Sequence, residues 1–70
     1  WTTDEEKDLL IEIKRGDDIK KISSHHKRTI GSINGRLEKI AIELHNKKYT
    51  FEKIQLITRL DISKIKFITK

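Results

Sequence analysis

Residues 25–41 read HHKRTIGSINGRLEKIA, and the fold turns on whether this run is a helix. Apolar residues recur at Ile30, Ile33, Leu37, Ile40 and Ala41, then at Leu44, the three- and four-residue spacing of a single helical face. Gly31 and Gly35 oppose it, since each costs about 1 kcal/mol relative to alanine in a helix interior. Thr29 suits the N-cap, and the periodicity predicts a helix from there to about Asn46. The glycines then sit on its outer face, where another backbone can approach closely.

The same signals recur on either side. Thr3 with Glu6 three residues later is a capping-box pattern, and Asp4 and Glu5 suit the positive end of a helix dipole. Leu9, Leu10 and Ile13 supply an apolar face over which Trp1 can fold, and Gly16 stops the helix after Lys14 and Arg15. Asp18 is the expected cap of a short second helix with Ile19 and Ile22 inward, ending in SSHHKR. Beyond NKKYT, Thr50 caps a fourth helix lined by Phe51, Ile54, Ile57 and Leu60. Asp61 marks a turn, with tolerance for the left-handed conformation, and Ser63 caps a fifth helix carrying Ile65, Phe67 and Ile68. The expected fold is all-α with about five helices: a trihelical unit over 1–46 and a C-terminal helical hairpin over 47–70, in one compact domain.

Hydrophobic residues are 34% of 70, so the core is thin and stability belongs at the low end for a globular protein. No cysteine is present, which excludes disulfides and thiolate metal sites. No apolar run approaches the ~18 residues of a membrane span, and no secretory segment is visible, so a non-secreted, intracellular setting without membrane partners is expected. The chain opens on Trp1 rather than methionine, which suggests a domain of a longer parent polypeptide. Net charge is +5 and unevenly spread: Trp1 to Asp18 hold seven acids and three bases, and the remainder four acids and thirteen bases. An acidic first helix with a basic remainder suits a polyanion on one side, or simply a lysine-rich solvated surface.

At about 100° per residue, Arg28, Gly31, Ser32, Gly35 and Lys39 share the sector opposite the apolar face, with Lys27 before it and Asn34 on its flank. Small residues in the centre and cations at both ends match what a ~12 Å major groove admits, and the first amides of the helix can hold a phosphate. The Gly31–Gly35 spacing equally fits close packing of another helix or a second copy of the chain. Arg36 borders the apolar sector and is expected to pair with Glu5 or Glu6. His25 and His26 read as polar turn residues with no acid nearby in the chain; a zinc site from His25, His26 and His45 lacks the usual spacing and a fourth ligand. No nucleophile–base pair or phosphate loop points to an enzyme, and no cofactor or metal is called for.

The series W1-T-T-D-E-E, L9-L10, G16-D-D-I19-K-K-I22 and R28-T29-I30-G31-S32-I33-N-G-R36-L37 resembles the Myb/SANT-like trihelical helix-turn-helix domains. It is similar, in particular, to short domains of the W-T…G…R-T…R-L type in bacterial, phage and giant-virus proteins. The resemblance covers residues 1 to about 41. It implies double-stranded DNA as partner, the third helix in the major groove, a role in transcription regulation or targeting, and residence in a nucleus, nucleoid or viral factory. Carried over by position, Lys27, Arg28, Thr29, Ser32, Asn34, Gly35 and Lys39 touch DNA, with Arg28 and Asn34 facing base edges. The tail resembles, less closely, a second helix-turn-helix, in which Lys64, Lys66 and Lys70 either contact phosphates or form a solvated face. SANT-like domains also bind proteins, so an acidic partner segment is the alternative ligand. Oligomeric state is left open.

Overall fold

Thr2 rather than Thr3 caps the first helix: its Oγ1 accepts the Glu5 N–H at 3.1 Å in the computed structural model, which describes residues 1–70. Helix α1 therefore spans Thr3–Arg15. Starting there leaves Trp1 outside the helix, packed on the first core cluster, and puts Glu5 at the capping-box position, yet its carboxylate is taken by Arg28 and His26 rather than turned back to the cap. Gly16 ends the helix at φ 88°, with its N–H on Ile13 O and the Asp17 N–H on Glu12 O, a Schellman closure.

Helix α2 spans Ile19–His26 behind the Asp18 cap, and α3 spans Ile30–Asn46 behind Thr29, whose Oγ1 accepts the Ser32 N–H at 3.1 Å. Helix α4 spans Phe51–Thr58 behind Thr50, and α5 spans Ile62–Ile68. The protein is all-α, with five helices and no strand. Three non-glycine residues take the left-handed conformation, Lys27, Lys48 and Arg59, each just beyond a helix C-terminus. That conformation costs an L-residue about 1–2 kcal/mol, while a cation there is favoured by the helix dipole.

The last turn differs from the sequence expectation. Arg59, not Asp61, is the left-handed residue, and Asp61 is the extended N-cap of α5, leaving Ser63 inside the first turn. Phe67 is 70% exposed rather than inward. With Ile65 fully buried, a residue two positions on is rotated about 200° away, while Ile62 and Ile68 flank the buried line.

Two apolar clusters hold the helices together. Leu9 and Ile13 of α1, Ile22 of α2, and Ile33, Leu37 and Ile40 of α3 form the first. Ala41 of α3, Ile54 of α4 and Ile65 of α5 form the second, and Leu44 and Leu60 pack against both. The hairpin thus covers the C-terminal half of α3 and leaves Ile42 38% exposed. Two polar residues are buried. Thr58 satisfies itself, donating to Ile54 O at 2.8 Å and accepting from Leu60 N–H at 3.3 Å; Glu12 relies on α2.

Candidate nucleic-acid interface

The outer strip of α3 is open. Gly31, Gly35 and Lys39 are exposed, and Ser32 and Asn34 are half-buried beside them. A methyl group built at Gly35 would meet nothing within 4 Å, and one at Gly31 only Thr29 Oγ1 at 4.0 Å. No helix of this chain packs on the glycine pair, so internal packing does not account for it.

Cations around the strip fall into two groups. Lys27 and Lys39 are exposed and make no ion pair. Thr29 is exposed, and its oxygen caps the helix while its O–H remains able to donate outward. Lys64 lies 3.6 Å from Glu38 of α3, and Lys66 sits 5.7 Å from the Phe51 ring. Both belong to α5 and lie beyond the glycine strip.

Arg28 departs from its expected position on the open face. Its Nε and Nη2 donate to the two carboxylate oxygens of Glu5, each at 2.9 Å, and its guanidinium lies 4.2 Å from the centre of the Trp1 ring. The pair lowers the Glu5 carboxyl to about 2, the Arg28 hydrogen bond being the largest cause, and raises Arg28. The pair engages one edge of the guanidinium, and through it Arg28 braces the start of α3 against α1. Arg36 pairs with Glu6, as its place on the wheel implies, with Nε 3.0 Å from Oε2 and a second contact from Nη2.

His25 and His26 are not plain turn residues. Although no acid is near them in sequence, the fold places Glu12 Oε1 2.9 Å from His25 Nδ1 and 2.9 Å from His26 Nε2, and Glu5 Oε2 3.2 Å from His26 Nδ1. Glu5 and Glu12 are seven residues apart, two turns along one face of α1, which is the signal in the sequence for a shared acidic stripe. Trp1 roofs the cluster, its ring centroid 5.7 Å from that of His26.

The chain matches no protein-family model, no curated protein and no solved structure. The likeness to Myb/SANT-like domains rests on its own residues alone.

Proposed function

We propose that this chain is a DNA-binding module that inserts the outer strip of α3 into the major groove, as a regulatory or targeting domain of a larger protein. The observation that carries the reading is the uncovered Gly31–Gly35 strip between two unpaired lysines, Lys27 and Lys39. Gly35, in the helix interior, costs stability and returns nothing to internal packing, and Gly31 in the first turn is as uncovered, so an external partner is their reason. The charge distribution points to a polyanion, because the basic excess lies entirely beyond α1.

In this arrangement Lys27 and Lys39 hold phosphates at the two ends of the strip, and Thr29 O–H donates to the phosphate nearest the helix start. Asn34 and Ser32 are the side chains that reach base edges, and asparagine offers the paired donor and acceptor that adenine presents in the major groove. The glycines keep bulk away from the groove wall. Arg28, Glu5 and Trp1 fix the angle at which α3 leaves α2.

A second reading, recognition of an acidic protein segment, is supported by the same exposed, unpaired Lys27 and Lys39 beside the open glycine strip. Amide chemical-shift mapping with random-sequence duplex separates the two. Perturbations centred on residues 27–39 support the DNA reading, and an unchanged spectrum at low salt refutes it in favour of a protein partner.

A further inference from the structure

The strongest cluster outside the α3 strip lies between α1 and α2. Glu12 is 6% exposed, the His26 side chain 4% and the His25 side chain 64%, so the group reaches from the interior to the surface. One carboxylate oxygen of Glu12 faces two imidazole nitrogens, and the candidate ligand atoms of all three residues lie within 4.8 Å of one another. Adjacent histidines on a helix point in different directions, but here they reach the same point by unequal arms. His25 uses its near nitrogen, Nδ1, and His26 its far nitrogen, Nε2.

His26 presents a conflict of hydrogen bonds. Each of its ring nitrogens faces a carboxylate oxygen, Glu5 at 3.2 Å and Glu12 at 2.9 Å. A neutral imidazole carries one N–H and can donate to only one of them. A divalent cation on the Nε2 side removes the conflict: Nδ1–H donates to Glu5, the Nε2 lone pair binds the ion, and the Glu12 oxygen binds it too. The Glu5–His26 contact then takes the carboxylate–histidine–metal form that orients metal-bound imidazoles, and Glu5 is itself held at both oxygens by Arg28.

We infer that Glu12, His25 and His26 form a binding site for a divalent transition metal, zinc by ligand chemistry. Two imidazoles and a carboxylate suit Zn²⁺, whose ligands stand about 2.0–2.2 Å from the ion, and three protein ligands leave a fourth position to water. Glu12 and His25 line a surface cleft of about 350 Å³ that gives an ion a path to the site; its other walls include Asp8, Lys21 and the Arg15–Asp17 ion pair. The bound ion cross-links α1 to α2 at the root of α3. The inference is independent of what α3 binds. The rival occupant is a second proton on His26, which bridges the two carboxylates without any metal.

The test uses untagged, chelator-treated protein without DNA, titrated with Co²⁺ and then Zn²⁺. The expected result is one equivalent of Co²⁺ giving the visible absorption of a four-coordinate site, displaced by Zn²⁺, with a melting temperature that rises with metal concentration. His25→Ala removes a ligand from an exposed position, so the apo fold persists by circular dichroism while the Co²⁺ spectrum is lost. Glu5→Gln leaves all three ligands but removes the orienting carboxylate, and weakens Zn²⁺ about 10–100-fold. Absence of metal binding in the wild type, or equal binding by wild type and His25→Ala, overturns the site and leaves the proton-bridged cluster.

Discussion

Gly35→Ala is the substitution on which stability and binding must move in opposite directions. Gly35 lies in the interior of α3, away from both ends, and its backbone is not in the left-handed region. An added Cβ meets no atom within 4 Å, so there is neither a clash to relieve nor a cavity to fill. What remains is helix propensity, which favours alanine by about 1 kcal/mol. For a domain of this size that raises Tm by roughly 4–8 °C. Thermal unfolding followed by circular dichroism measures it directly. In the same preparation, duplex affinity read by fluorescence anisotropy should fall, because the methyl group stands where the groove wall approaches α3. Gly35→Leu carries the same logic further, with a larger loss of affinity and a fold at least as stable as the wild type. A Gly35→Ala protein less stable than wild type would show that the strip is internally packed. A stabilised Gly35→Leu protein with undiminished affinity would remove α3 from the DNA interface.

Lys39→Ala should weaken every duplex alike and make the plot of log affinity against log salt shallower by about 0.9, the contribution of one phosphate; an unchanged slope removes Lys39 from the backbone contacts. Lys27→Gly should relieve the left-handed backbone at φ 54° and stabilise the fold by about 1 kcal/mol in denaturant titration, yet still weaken DNA binding through the lost charge. Glu5 is lowered from 4.5 to about 2 by Arg28, so its share of stability is fully present above pH 4.5 and is lost as pH falls toward about 2. Melting temperatures across that window should fall with acid in the wild type and follow a flatter curve in Glu5→Gln.

Much of the fold was legible because it is written in local signals. Thr29 and Thr50 cap α3 and α4 as their positions before apolar runs imply, and Gly16 ends α1. Ile33, Leu37 and Ile40 are buried as their spacing predicts. The misread boundaries are places where neighbouring residues offer equivalent chemistry. Thr2 and Thr3 both carry a capping hydroxyl, and only the seat of Trp1 on the core distinguishes them. At the α4–α5 turn, no glycine marks the left-handed residue, so Arg59 took a conformation that aspartate tolerates more readily.

The amino-acid order alone determined five helices, most of their inward residues (Ile30 and Phe67, expected inward, are exposed), and an outer face of α3 built from glycines and flanked by lysines. Hydrophobic burial and capping repeat with the helical period, and so leave a pattern along the chain. Only the packing of α1 against α2 and α3 decided which charges are free. It joined Glu5 to Arg28 and Glu12 to both histidines across separations of 13 to 23 residues, while leaving Lys27 and Lys39 exposed and unpaired. Ion pairs depend on distances between whole helices, and those distances carry no period that a linear reading can detect.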